Sequence, residues 1–257
     1  MIARFGSVEL NCVVKYLSLS KKKCSQVQSS FGENVKHDMR NNAGFFPETD
    51  ENLRRFSQLM IDCIPNVDIL GSWLSGEAIL KNKIKAKIVK LPDLEPYYHN
   101  NPWSRVLKGK KILVVHPFSD SIKNQYANHD RLFLDKNVLP EFTLETITAV
   151  QSIAGNACGY KDWFSALEEM KNQISQKTYD IAIIGCGAYG FPLASFVKMQ
   201  GKKAVHLGGA TQILFGIKGV RWDEHLVISK LYNEYWVRPS EEETPLNNKN
   251  VENGCYW

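Results

Sequence analysis

The chain has 257 residues, of which 44% are hydrophobic, 23% charged and 11% aromatic, so it can bury a core and is not intrinsically disordered. The formal net charge of +5 is uneven: residues 1–111 carry 18 basic and 11 acidic side chains, whereas residues 112–238 carry 13 and 12. This basic excess suits an anionic partner, such as a phosphate, a nucleotide or an acidic membrane surface, and it suits a solvated basic face equally well.

The cysteines and the apolar runs indicate the cellular compartment. No CxxC pair occurs, which argues against a zinc site or a disulfide scaffold and predicts reduced thiols. The six cysteines are Cys12, Cys24, Cys63, Cys158, Cys186 and Cys255. No basic stretch followed by an apolar run opens the sequence, and no run reaches the roughly 18 to 20 apolar residues that span a bilayer. We therefore expect a cytoplasmic protein that does not cross a membrane.

The first predicted helix follows a short polar motif. Apolar residues recur at helical spacing over residues 10–17, Ser7 can cap this helix, and Glu9 in its first turn gains from the helix dipole. These roles leave Arg4 and Gly6 unexplained. A guanidinium and a bare backbone just before a helix suit a phosphate group, and the Glu9 carboxylate suits a metal ion or a sugar hydroxyl.

Residues 50–110 predict one helix, one weak strand and a basic stretch. Apolar residues between Leu53 and Met60 recur at helical spacing, and Val67 to Leu70 form a weak strand candidate. Residues 81–90 alternate lysine with apolar residues. This alternation predicts either an edge strand whose lysines oppose aggregation or a basic face near an anionic ligand.

The second half of the chain predicts a parallel sheet. Short β-branched runs at residues 111–116, 143–150, 180–185 and 203–208 indicate strands, and they alternate with helical patterns. The helical patterns cover residues 163–174 and 191–200. We therefore predict an open, mostly parallel, Rossmann-like α/β sheet flanked by helices in a single large domain.

The predicted domain covers residues 1–238, and residues 239–257 form a polar tail that ends in two large aromatic side chains. Such apolar area is unusual in a free terminus, so we expect the tail to dock back on the domain.

A glycine-rich turn follows the strand at residues 180–185. Gly185, Gly187 and Gly190 form a GxGxxG pattern that also contains Tyr189 and opens a helix, where backbone N–H groups can hold a pyrophosphate. The same glycines can instead serve only tight packing of strand against helix. No acidic residue follows the next strand, which disfavours NAD and leaves other diphosphate ligands possible.

Two further groups are predicted to face the same crevice. Gly208, Gly209 and Gln212 follow the last predicted strand, and His116 ends the strand at residues 111–116. In an open parallel sheet the carboxyl ends of the strands line one crevice, so we expect all of these residues near the glycine-rich turn. His116 is a candidate base or ligand-orienting group, and it can equally be a structural hydrogen-bonding residue.

Several of these segments resemble a known family. Residues 4–9, Arg-Phe-Gly-Ser-Val-Glu, are similar to the Arg-x-Gly-Asp-Gly-Glu signature of the GT-D type of bacterial glycosyltransferases, which use nucleotide sugars to build surface polysaccharides and glycans. Later segments look like polysaccharide-cluster proteins related to that type. They are His116-Pro117-Phe118, Leu139-Pro140-Glu141-Phe142, Gly185 to Gly190, His206-Leu207-Gly208-Gly209 with Gln212, Arg221-Trp222, Trp236-Val237-Arg238-Pro239 and Glu252 to Trp257.

The resemblance implies a glycosyltransferase that moves a hexose from a nucleoside diphosphate sugar, UDP-sugar being the first choice, to a glycan or lipid-linked acceptor. Arg4 and the glycine-rich helix start would stabilise the leaving diphosphate. Glu9 or His116 would be the base. Nucleotide-sugar binding would involve Arg4, Gly6, Ser7, Gly185, Gly187, Tyr189, Gly190, Gly208, Gly209 and Gln212, with Glu252 and Tyr256 closing the pocket.

The resemblance leaves the cofactor open. Ser7 and Val8 stand where the signature has aspartate and glycine, so Glu9 alone would hold Mg²⁺ or Mn²⁺ together with substrate phosphates and water. Alternatively, Arg4 and the helix starts neutralise the diphosphate without a metal. We expect no nucleic-acid partner, and the lysine-rich segments suit peripheral contact with an anionic membrane at its inner face.

Two other functions fit the same residues. An NAD(P)-dependent oxidoreductase would use the GxGxxG turn, although it lacks the acidic residue noted above. A polysaccharide-assembly subunit that has kept the fold and lost the chemistry would explain Ser7 in place of aspartate.

Overall fold

Seven parallel strands form one open sheet in the order β3-β2-β1-β7-β6-β4-β5. The strands are β1 (Ile2–Ala3), β2 (Ile69–Ser72), β3 (Lys87–Lys90), β4 (Lys111–His116), β5 (Thr143–Thr148), β6 (Ile181–Ile184) and β7 (Lys203–His206). This computed structural model describes residues 1–21 and 30–257; Lys22, Lys23 and Cys24 lie outside the described residues. The predicted Rossmann-like α/β fold is confirmed, and every strand pair is parallel.

Helices cover both faces of the sheet. The longer ones are α1 (Ser7–Lys21), α2 (Glu33–Asn41), α3 (Asp50–Cys63), α4 (Ser119–Tyr126), α6 (Trp163–Ser175) and α7 (Gly190–Met199). The short ones are α5 (His129–Leu132), α8 (Ala210–Leu214) and α9 (Val220–Asp223). In the part of the chain that the structure describes, no helix is both long and apolar enough to cross a membrane.

Alternate strand residues feed two hydrophobic cores. Leu113, Val115 and Ile184 point to the face that packs against α1, α3, α6 and α7. Ile112 and Val114 point to the opposite face, which packs against α4, α5, α8 and α9. Because both faces of a parallel sheet are buried, these strands are continuously apolar, which is why they were recognisable in the sequence.

The strand order confirms the edge strand in the lysine-rich segment and adds a central strand that was not predicted. β3 pairs only with β2, so the lysine-rich segment does contain an edge strand, with Lys87 and Lys90 exposed. β1 lies in the middle of the sheet, between β2 and β7, yet no strand was predicted there. A strand of two residues is too short to show any periodicity.

The start of α1 differs from the prediction. The carbonyl of Gly6 accepts the first helical hydrogen bond from the Leu10 N–H at 2.9 Å, so Gly6 occupies the N-cap position. Ser7 is the first helical residue and is exposed. The expectation that Ser7 caps this helix is therefore wrong.

The C-terminal segment packs against the second core. Val251, Cys255 and Trp257 are buried there. The Glu243 carboxylate accepts hydrogen bonds from the Asp120 N–H at 2.9 Å and the Ser121 N–H at 3.2 Å, in the first turn of α4. This carboxylate thereby satisfies backbone donors that a helix start leaves free.

Candidate functional site

A cavity of about 540 Å³ opens at the carboxyl edge of the sheet. It lies where β1, β7, β6 and β4 end, and the loop after β4 leads to a helix on one face while the loop after β6 leads to a helix on the other. Ligand sites of open parallel sheets occur at such reversals. The candidate residues that line it are Arg4, Gly6, Ser7, Glu9, His116, Gly185, Gly187, Tyr189, Gly208, Gly209, Gln212, Glu252 and Tyr256.

Arg4 leaves β1 and enters the cavity without an acidic partner. Its Nε donates to the Phe5 carbonyl at 3.2 Å, and its guanidinium carbon lies 4.5 Å from the centroid of the Trp73 ring. It forms no salt bridge with any carboxylate within residues 1–21 and 30–257. Burial lowers the pKa of Arg4 from its ordinary value. The negative charges of Glu9 and Glu95 favour its charged form without contacting it directly, so the guanidinium is still open to an anionic group in the cavity.

Trp73 is a site residue that the sequence analysis missed. It follows β2 directly, and 44% of its surface is exposed. Its indole Nε1 donates to the Phe5 carbonyl at 2.9 Å, so the ring is held beside Arg4. The sequence signal was weak because β2 itself was only a weak strand candidate.

Glu9 holds a buried carboxylate over the backbone of Gly6. A Cβ atom at position 6 would overlap this carboxylate, which explains the glycine before α1. Burial raises the pKa of Glu9, and the Arg4 guanidinium opposes that shift. No other residue in the described chain donates a hydrogen bond to the carboxylate, so it is free to act on a ligand in the cavity.

His116 ends β4 as a buried, neutral side chain. The Phe118 N–H donates to its Nδ1 at 2.9 Å, and burial lowers its pKa to about 3. Since Nδ1 accepts a hydrogen bond in a neutral ring, the proton resides on Nε2. His116 therefore offers a hydrogen-bond donor to the cavity. This tautomer favours Glu9 over His116 as the base.

His206 ends β7 with the opposite tautomer. Its Nδ1 lies 3.2 Å from the Ile184 carbonyl, which can only accept, so Nδ1 carries the proton and Nε2 carries a lone pair. Burial, and to a smaller extent the nearby Arg4 charge, lower the pKa of His206 to about 4. The sequence analysis gave this residue no role, because the partner of its Nδ1 lies on β6 and is not visible in the local sequence.

Each glycine of the GxGxxG turn has a structural reason. A Cβ atom at Gly185 would overlap the carbonyl of Gly208, and a Cβ atom at Gly190 would overlap the His206 ring, while Gly187 has a φ of +53° that favours glycine. Gly190 begins α7 and, unlike the other two glycines, does not line the cavity. Packing and backbone conformation together account for the pattern, and the bare backbone of Gly187 still faces the cavity.

The tail closes one side of the cavity. Glu252 forms a salt bridge with Arg221, whose guanidinium carbon lies 4.8 Å from the centroid of the Tyr256 ring. The Tyr256 ring in turn packs against Gly209, where a Cβ atom would come within 2.8 Å of it. Arg221 lines the cavity and is a second cation there that was not assigned a role from the sequence.

Gln212 is fully buried and holds the tail in place. Its Nε2 donates to the carbonyls of Tyr256 at 3.0 Å and Lys218 at 3.2 Å. Its amide nitrogen is therefore used within the protein, while its Oε1 has no hydrogen-bond partner.

The donor set for a metal ion is small. Among the described residues, no group of three or more histidine, cysteine, aspartate or glutamate side chains is arranged to hold a metal. Of the other carboxylates that line the cavity, Glu95 accepts from the Tyr97 hydroxyl at 2.7 Å and Glu252 pairs with Arg221. Glu9 is thus a single available ligand, and a divalent ion would need the oxygens of a bound diphosphate and water to complete its shell.

No protein-family model, curated protein or solved structure matches this chain significantly, so the site is interpreted from its own chemistry.

Proposed function

We propose that this protein is a glycosyltransferase that transfers a hexose from a nucleoside diphosphate sugar, with UDP-sugars as the first donors to test. The observation that carries the proposal is a pair of groups in the cavity: the Arg4 guanidinium, which forms no salt bridge, and the Glu9 carboxylate, whose charge it feels without a direct contact. The reaction needs a cation that stabilises the leaving diphosphate and a base that takes the proton of the acceptor hydroxyl.

The diphosphate would bind at the β1 and β7 strand ends. A Cβ atom at Gly208 would lie 3.8 Å from the Arg4 guanidinium, so the bare backbone after β7 borders this cation and a phosphate could contact both. Arg221 adds a second guanidinium to the same cavity, where it is paired with Glu252. As the bond between the anomeric carbon and the diphosphate oxygen breaks, these cations stabilise the negative charge that develops on the leaving group.

Glu9 would act on the acceptor. In a single displacement, the acceptor oxygen attacks the anomeric carbon and its proton passes to the Glu9 carboxylate. The raised pKa of Glu9 suits this role, because a carboxylate with a higher pKa is a stronger base. In a metal-assisted form of the proposal, Glu9 would instead hold Mg²⁺ or Mn²⁺, which would supply further charge stabilisation at the diphosphate.

The acceptor in this proposal is a glycan or a lipid-linked saccharide of bacterial surface polysaccharide synthesis. Membrane-linked acceptors would place the protein in the cytoplasm at the inner membrane face. The lysines of residues 81–90 support that placement, because they are exposed and form no salt bridges within the described chain.

Ligand binding tests the proposal directly. Thermal shift and calorimetry with UDP-glucose, UDP-galactose, GDP-mannose, NAD and NADP, each with Mn²⁺ and with EDTA, should give stabilisation by one or more nucleotide sugars. Arg4→Ala should lose that binding by about tenfold to a hundredfold, because it removes a charge-assisted contact. Arg105→Ala is the matched control, since Arg105 is exposed and does not line the cavity.

Other outcomes point to the rival functions. Stabilisation by NAD or NADP alone would contradict the proposal and favour an oxidoreductase that uses the GxGxxG turn. Nucleotide-sugar binding without transfer to any glycan or lipid-linked acceptor would instead favour a subunit that has lost the chemistry.

A further inference from the structure

Two buried histidines present opposite hydrogen-bonding atoms to the same cavity. The Nδ1 of His116 accepts from the Phe118 N–H, and the Nδ1 of His206 donates to the Ile184 carbonyl. Both rings line the cavity. Neither Nε2 atom has a hydrogen-bond partner in the described part of the chain. Neither is one of the polar atoms there that are both fully buried and without a hydrogen-bond partner. His116 therefore offers an N–H to the cavity, and His206 offers a lone pair.

Both rings stay uncharged at the pH of the cytoplasm. Burial lowers the pKa of His116 to about 3 and that of His206 to about 4, and no carboxylate opposes either shift. A neutral imidazole lone pair repels the oxygens of a phosphate, so His206 needs a ligand group that can donate. A hydroxyl group suits either ring, because it can donate to the Nε2 of His206 or accept from the Nε2 of His116. A phosphate oxygen without a proton can only accept.

The sheet fixes how far apart the two rings lie. β6 separates β7 from β4, so the ends of the two strands are about 10 Å apart. The side chains also point to opposite faces: His206 shares its face with Ala204, and His116 shares its face with Val114. The two rings must therefore contact different groups of an elongated ligand.

We propose that His206 and His116 bind two different hydroxyl groups of the nucleotide sugar, His206 as the acceptor of a hydrogen bond and His116 as the donor. The inference rests on the proposed function and adds the recognition of the uncharged part of the donor. It also gives Gly190 a purpose, because the third glycine of the GxGxxG turn makes room for the His206 ring rather than for a phosphate.

Substitution by asparagine or by glutamine tests the two nitrogen atoms of each ring one at a time. In His206→Asn the amide can still donate to the Ile184 carbonyl, and in His116→Asn the amide oxygen can still accept from the Phe118 N–H, but both lose the atom at the Nε2 position. In His206→Gln and His116→Gln the amide reaches the Nε2 position. The asparagine variants thus keep the internal hydrogen bond and remove the one that faces the cavity.

Calorimetry with UDP-glucose or UDP-galactose against UDP, and with GDP-mannose against GDP, is the test. Each asparagine variant should bind the nucleotide sugar about tenfold more weakly than wild type. A smaller loss with the nucleoside diphosphate alone assigns that histidine to a hydroxyl of the hexose, and an equal loss assigns it to a hydroxyl of the ribose. Each glutamine variant should regain part of the loss. Gly190→Ala, which pushes the His206 ring aside, should reproduce the defect of His206→Asn.

Three outcomes are distinguishable. If the variants bind the nucleotide sugar as wild type does, the histidine assignment is overturned and the proposed function stands. If wild type binds no nucleotide sugar, the proposed function fails and the assignment fails with it. Nitrogen NMR of the imidazole rings tests the tautomers without any ligand: a proton on Nδ1 of His116, or on Nε2 of His206, would overturn the donor and acceptor roles.

Discussion

The carboxylate of Glu9 lines the cavity and lowers the stability of the folded protein. Its carboxylate is buried over Gly6, and no donor of the described chain beyond its own backbone contacts it. Burial penalises the charged form and therefore raises its pKa. In the free protein this charge destabilises the native state, and a bound sugar hydroxyl or metal ion would relieve the penalty.

We expect Glu9→Gln to stabilise the protein at pH 7.5 by about 1 kcal/mol, or about 2–4 °C in Tm, while it abolishes transfer. The folded-state pKa lies above the unfolded value of 4.5, so the carboxylate is destabilising above its folded pKa and the penalty disappears as the pH falls toward 4.5. The gain in Tm should shrink over that range. A variant that is less stable than wild type at pH 7.5 would contradict this account.

The elements that meet at the cavity depend on glycines where strands turn into helices. Gly185 brings the end of β6 against the carbonyl of Gly208 after β7, and the approach is too close for any side chain. The two loops are therefore fixed relative to each other by backbone packing. This contact sets the spacing of the residues that line the cavity.

We expect Gly185→Ala to lower the free energy of unfolding by about 1–3 kcal/mol, because the new methyl group must displace backbone atoms. Gly32→Ala is the control: no atom lies within 4 Å of a Cβ atom at that position, and its φ of −68° is open to any residue. Chemical denaturation of both variants provides the measurement. Equal effects in the two variants would show that the contact between the loops does not matter.

The elements that could be predicted from sequence are those whose pattern is local. β4 and β6 contain uninterrupted apolar runs, and Arg4, Gly6 and Glu9 form a compact motif at the start of α1. Trp73, Arg221 and His206 were not given roles, because each acquires its role through a partner that is distant in sequence. Gln212 was predicted to bind ligand, yet its amide nitrogen holds the tail, which only the tertiary fold reveals.

At the scale of the whole molecule, one acidic side chain of the tail anchors it at the start of α4. Glu243 is buried and accepts from two backbone N–H groups at the start of α4, and the Trp257 indole donates to its carbonyl at 3.2 Å. The cavity wall formed by Tyr256 and Trp257 therefore depends on a contact on the far side of β4.

We expect Glu243→Ala to lower the free energy of unfolding by about 1–3 kcal/mol, since it leaves buried backbone donors without a partner. Glu241→Ala removes the same charge from an exposed position and should change stability by less than about 0.5 kcal/mol. Hydrogen exchange should also show faster exchange at the start of α4 and in residues 251–257 of Glu243→Ala. Identical exchange in both variants would show that the Glu243 carboxylate does not anchor the tail at the start of α4.

The two neutral histidines predict how stability depends on pH. Their folded-state pKa values of about 3 and about 4 lie below the ordinary value of 6.5, so their stabilising effect is complete above pH 6.5 and declines as the pH falls toward 4. Each should contribute a loss of about 1.4 kcal/mol per pH unit well below 6.5. Urea unfolding between pH 7.5 and 5 should show this slope, reduced in His116→Asn and His206→Asn. A slope unchanged in both variants would contradict it.

The carboxylate of Glu243 already occupies the helix start nearest to the β4 end of the cavity. It lies at the helix start beyond β4, next to the His116 end of the cavity, while the free guanidinium of Arg4 lies at the β1 end. An anionic group would therefore find the N–H donors of α4 already used and the Arg4 guanidinium still open, so in the proposed complex the diphosphate would lie toward β1 and the uncharged portion toward β4. The C-terminal segment would in this way help to set the orientation of the ligand.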